Sequence, residues 1–171
     1  MIIPNIPRNV AYKYIWISKL KLTKMKKLLL GIIILSTLSL MAQDVDIEKE
    51  VIKKVIETAY VEGLQNEGDI EKINSGIHPD FDLLGIGNNN TMWKYSIKDW
   101  KAKTVKKVED GELPRKGDQV SVVFKMVDVT GNAAMAKIDF YVGDKLTYVD
   151  YISLYKFEEG WKMVNKIFYK F

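Results

Sequence analysis

Cysteine is absent from the 171-residue chain, and histidine occurs once, at His78. Without cysteine there is no disulfide to staple the fold and no lipobox residue to carry a lipid anchor, so the domain must be stable through its core alone. Zinc takes its ligands mainly from cysteine and histidine, so a zinc site is not expected, and no other metal or organic cofactor is expected either. A G-x-S-x-G element is missing, which leaves a serine-hydrolase triad without support. No internal repeat and no low-complexity stretch occurs. The longest apolar run, Leu28 to Met41, is short of the roughly 20 residues that a membrane span requires.

That run has a different reading. Met25-Lys26-Lys27 precedes it and Ala42-Gln43 follows it, the order of basic, apolar and small residues found in a secretory signal peptide. Residues 25–42 are therefore read as a leader cleaved near Ala42-Gln43, and the product as exported, periplasmic or secreted. Residues 1–24 lie upstream of a complete leader and read as a mis-annotated extension. Of 26 lysines and arginines, seven fall in residues 1–42, which hold no carboxylate; the remaining 19 face 22 acidic residues, a net charge of −3. The basicity of the whole chain is thus a targeting signal. It gives no support for nucleic-acid binding, which calls for a basic patch on the folded domain. No membrane span is expected in the mature protein.

Residues 43–171 read as one α+β domain. Val45, Ile52, Val55, Ile56, Ala59, Tyr60 and Leu64 recur at helical spacing, and Gly68 can close that helix. Asp69 caps a short second helix from Ile70 to Asn74. Phe81 to Leu84 and Met92 to Tyr95 are short strands joined by an Asn88-Asn89-Asn90 turn. Ser96 with Asp99 starts a third helix through about Val108. Long strands follow at Val120 to Val129, Ala133 to Val142, Leu146 to Phe157 and Trp161 to Tyr169. The last two flank Glu158-Glu159-Gly160, a hairpin signal. Helices that precede a four-strand meander can cover one face of it, which predicts one helical layer on a curved antiparallel sheet.

Several segments resemble the nuclear transport factor 2-like superfamily, and within it the putative lumazine-binding family, with SnoaL-like cyclases and ketosteroid isomerases as cousins. They are Gly68-Asp69 with His78-Pro79-Asp80, then Asn132 to Ala136, Val149 to Leu154 and Gly160 to Lys166. The resemblance covers nearly all of residues 44–171. It implies a cone: a strongly bent antiparallel sheet packed on three N-terminal helices, with a pocket for a small molecule.

The candidate pocket residues are Tyr60, His78, Trp93, Tyr148, Asp150 and Asn165. His78 is either a base or ligand donor at the cone mouth, or a turn residue bonding a helix end. Tyr60, Trp93, Tyr95 and Trp100 can stack on a flat ligand or simply fill the core. Asp150 and Asn165 are polar within apolar strands, where an unpaired polar group is costly. A two-residue turn at Glu158-Glu159 sets Ile152 opposite Asn165 and Asp150 opposite Ile167, so both polar side chains share a face with Tyr148, Ile152, Leu154, Met163 and Trp161; a three-residue turn breaks that grouping. Asp150 is then a base, or a structural group paired with Lys166. Three functions stay open: a non-catalytic binder of a flat, lumazine-like molecule, an isomerase-like enzyme with a pocket carboxylate as base, and a homodimer or protein contact through an outer sheet face of Tyr151, Tyr155, Lys162 and Lys166.

Overall fold

The computed structural model describes residues 45–171. The leader, the upstream extension and the cleavage point lie outside the described residues. The first helix, α1, runs over residues 45–67. From Ile56–Glu67 it is wound as a π-helix, wider than its three- and four-residue apolar spacing predicts. Such turns usually occur singly and often at functional sites. Its five-residue closure continues at the end, where the Gly68 amide donates to the Gly63 carbonyl at 2.9 Å. Gly68 sits at φ 78°, a conformation that glycine adopts without a Cβ clash.

Asp69 caps α2 (Ile70–Gly76) by accepting from the amides of Glu71 and Lys72. The first strand, β1 (Ile77–Ile86), and its partner β2 (Met92–Ser96) form a hairpin, and Ser96 caps α3 (Ile97–Glu109) by accepting from the Asp99 amide. The meander is β3 (Val120–Thr130), β4 (Ala133–Val142), β5 (Lys145–Phe157) and β6 (Gly160–Lys170). All six strands join one open sheet in the order β2-β1-β6-β5-β4-β3. β1 is longer than its apolar residues suggest and pairs parallel with β6, the one departure from an antiparallel sheet.

The core lies between the helices and the concave face of the sheet. Ile52, Ile56, Ala59 and Leu64 of α1 meet Ile138, Ile152 and Met163 of the meander there. The C-terminal hairpin is tied to α1 by the Trp161 indole, which donates to Glu48. Lys156 also reaches Glu48, and these two contacts hold its carboxyl below the usual range.

The pairing of β5 and β6 corrects one expectation. The two-residue turn is present, with Phe157 opposite Gly160, and Leu154 opposite Met163. A bulge then intervenes, so Ser153 faces Asn165, Ile152 faces Lys166 and Asp150 faces Phe168. One extra residue in β6 reverses the sides beyond it. Asn165 leaves the inner face and Lys166 enters it, 5% exposed. Lys166 is therefore absent from the outer sheet face, whereas Tyr151 and Tyr155 stay on it. Lys162 reaches back to the carbonyls of Asn74 and Ser75 at the end of α2.

Candidate functional site

Three side chains from three elements meet inside the cone. Tyr60 comes from the π-helical part of α1, Asp150 from β5 and Lys166 from β6. The Tyr60 hydroxyl donates to Asp150 Oδ2 at 2.9 Å. Lys166 Nζ donates to the same oxygen at 2.8 Å and to the Tyr60 hydroxyl oxygen at 2.6 Å. Asp150 is 0% exposed, and its Oδ1 has no hydrogen-bond partner among the described residues. The ammonium also stands 4.8 Å from the Tyr60 ring centre, 5.4 Å from Phe168 and 5.9 Å from Trp100.

Burial decides how these groups titrate. It pushes the Lys166 ammonium below the usual lysine range, although the Asp150 carboxylate and its hydrogen bond pull the other way. Burial pushes the Tyr60 phenol well above its usual value, and the Asp150 charge and hydrogen bond add to that rise.

Above this triad lies a cavity of about 440 Å³. Tyr60, Trp100, Phe140, Tyr148 and Phe168 supply its aromatic lining, with Lys166 among the lining residues. The rings brace one another edge to face: Tyr60 with Trp100 at 83°, Phe140 with Tyr148 at 74° and Tyr148 with Phe168 at 82°. The π-helical winding brings Tyr60 and Gln65, five residues apart, to the same cavity. A second hollow of about 340 Å³ shares Gln65, Trp100, Arg115 and Tyr148 with the first.

Arg115 is held there by the end of α1. Its backbone amide donates to the Asn66 carbonyl at 2.8 Å, and its Nε donates to the Gln65 carbonyl at 2.8 Å. The Asn66 amide group pairs in both directions with the backbone of Val120, fixing the far end of the same loop.

The chain matches the profile described as putative lumazine-binding over residues 47–169. The chain belongs to the putative lumazine-binding family. Solved structures agree on the fold. A nuclear transport factor 2-like protein of unknown function from Shewanella baltica OS155 superposes with a TM-score of 0.54 at 22% identity, over 71% of this chain and 92% of that one. One from Silicibacter pomeroyi DSS-3 gives 0.54 at 18% identity, over 70% and 92%. One from Methylobacillus flagellatus KT gives 0.51 at 20% identity, over 70% and 89%. No curated protein sequence matches the chain significantly. As a member of this family with this fold, the protein is a ligand-binding domain.

The residues singled out from the sequence fall in different places. Tyr60 and Tyr148 line the cavity. Asp150 lies beneath it, behind its two partners. Asn165 turns away and donates to the Asp82 carbonyl at 3.3 Å. His78 stacks on Phe157 at 4.8 Å, and its Nδ1 accepts from the Asp80 amide at 3.2 Å. Trp93 lies across Gly85, where an added Cβ would come within 2.0 Å of the indole, and it packs on Phe168. Phe140, Phe168, Arg115 and Lys170 line the cavity without having been expected there. For Arg115 a signal existed: it is the only arginine in residues 43–171, among 18 lysines. Arginine's planar fork is favoured where a carboxylate or phosphate must be gripped. Among the described residues no cluster of three or more histidines and carboxylates could hold a metal, and no helix is long and apolar enough to cross a membrane.

Proposed function

We propose that residues 43–171 act, after export, as a binding domain whose cone holds a flat, partly aromatic small molecule. The observation that carries this reading is the cavity of about 440 Å³, walled by five aromatic side chains with the Lys166 ammonium among them. That size and composition suit a small-ligand site, in which apolar walls supply affinity and a few polar groups set orientation. Lys166 has three N–H donors, two of them engaged by Tyr60 and Asp150, so the third is available to an acceptor on the ligand.

Binding is favoured over isomerase-like chemistry by the position of the carboxylate. A general base must come within hydrogen-bond reach of the proton it removes. Asp150 is fully buried behind Tyr60 and Lys166 and does not line the cavity, so a ligand there meets its two partners and not the carboxylate. A thermal-shift screen of flat heteroaromatic compounds, lumazine included, tests the reading. A ligand at 100 times its Kd adds about 2.7 kcal/mol to the native state, which raises Tm by several degrees. Loss of that shift in Tyr148→Ala, with its fold retained, ties it to the cavity. A screen in which no flat compound shifts Tm would sink the proposal.

A second reading, self-association through the outer sheet face, is favoured by Val123, Met135 and Tyr155, which are 49%, 44% and 50% exposed. Sedimentation of Tyr155→Lys against the parent protein tests it: equal masses would end it.

A further inference from the structure

We infer that the ligand is an organic anion: a planar conjugated molecule whose acidic group is held by Arg115 where the two hollows meet. This deepens the binding reading above and rests on it. The domain as a whole is acidic, with 19 basic against 22 acidic residues in positions 43–171. The two hollows reverse that balance. Among the described residues, their lining includes Arg115, Lys166, Lys170, Lys103 and Lys107, and no aspartate or glutamate. A concave, low-dielectric site lined with one sign of charge concentrates ligands of the other sign.

The five cations are not equivalent. Lys166 already faces the Asp150 carboxylate at 2.8 Å, and Lys107 has Glu112 at 3.9 Å. Arg115, Lys103 and Lys170 make no ion pair with the described residues. Arg115 is also the best placed of these three, because it lines both hollows. Its guanidinium donates to two backbone carbonyls, from Nε to Gln65 at 2.8 Å and from Nη1 to Asp118 at 3.4 Å. Those bonds fix the plane of the fork without neutralising its charge, and donors remain for a carboxylate or phosphate.

The inner end follows from the same logic. Because the Lys166 charge is offset by Asp150, its free N–H suits a neutral acceptor such as a ring carbonyl better than a second full anion. The molecule therefore carries a carbonyl-like acceptor at its inner end, a flat body among Trp100, Tyr148 and Phe168, and an acid at its outer end.

The test compares two probes of one shape, 2-naphthoate and 2-naphthamide, by calorimetry and tryptophan fluorescence. Naphthoate should bind at least roughly 10-fold more tightly, the scale of one charge-assisted contact. Its affinity should fall as salt rises from about 50 to about 500 mM, while that of the amide holds. Arg115→Gln should erase the preference and leave amide binding unchanged. If that variant unfolds, Lys103→Glu at an exposed position of α3 serves instead, weakening naphthoate alone. Equal binding of the two probes would overturn the anion assignment and leave the flat-ligand reading standing. If neither probe binds, both fall.

Discussion

Lys166 and Asp150 form a buried ion pair whose removal should cost far less than its breakage. At 2.8 Å the attraction is about 6 kcal/mol with an effective dielectric of about 20. Taking both charges out of water costs several kcal/mol for each, so the net worth of the pair is small. Breaking it strands one charge. Lys166→Met leaves the carboxylate with Tyr60 alone, and Asp150→Val leaves an ammonium among aromatic rings. Each single change should lower stability by about 3–5 kcal/mol. Asp150→Val with Lys166→Met removes both charges and leaves only the Tyr60 hydroxyl without partners, at a cost of about 1–3 kcal/mol. Adding Tyr60→Phe removes that last polar group and should bring the loss to within about 1 kcal/mol, because apolar residues of similar volume can replace a buried ionic cluster. Urea unfolding at pH 7 with an unchanged m-value measures each step. Additive losses in the double variant would refute the reasoning. Single losses under about 1 kcal/mol would do the same, since both groups would then have to reach water.

Tyr60 should ionise well above the usual tyrosine range, and Tyr60→Phe should abolish that absorbance step at 295 nm. Its raised pKa means that the native state keeps a proton the unfolded state releases, so this contribution to stability is intact below pH 10 and is lost as pH climbs above it. Lys166 acts in the opposite sense: between its lowered pKa and 10.5 the unfolded chain holds more protons, so stability gains with rising pH, and that gain should vanish in Lys166→Met. Trp161→Ala should cost about 3–5 kcal/mol, because Trp161 is 2% exposed and its indole anchors Glu48; a change of surface size would remove it from the core. N-terminal sequencing of protein from the producing cell should start near Gln43, and recovery of residues 25–42 in the product would reject export.

Local signals in the chain were enough to read its elements. Asp69 and Ser96 cap helices because a short polar side chain can accept from free amides, and that property is visible one residue at a time. Ala136, Ile138 and Phe140 alternate with Asp139 along β4, so the three apolar side chains are buried while Asp139 meets Lys125 at 3.5 Å on the other face. What stayed hidden needs non-local geometry. The parallel pairing of β1 with β6 joins strands far apart in sequence, and no periodicity reports it. The π-helical winding of α1 leaves an apolar spacing close to that of an ordinary helix. Arg115 lies in a loop, between Pro114 and Lys116, and is held at the cavity by carbonyls of α1 that are some 50 residues away in sequence.

The bulge in β6 carries the most consequence. Asn165 and Lys166 are neighbours, so alternation obliges one of them to face the cone and the other to face out. In uninterrupted pairing from the turn the inner residue is Asn165, a neutral amide that would leave Asp150 without its cation. The bulge makes the inner residue Lys166, and it does so within the strand pair that also carries Asp150. The charge at the floor of the cone is thus a matter of register as much as of composition. The same inversion accounts for the outer face, where Asn165 can bond the Asp82 carbonyl of β1 and help hold the parallel strand in place. One extra residue therefore sets both the chemistry of the cavity and a contact at the one parallel seam of the sheet.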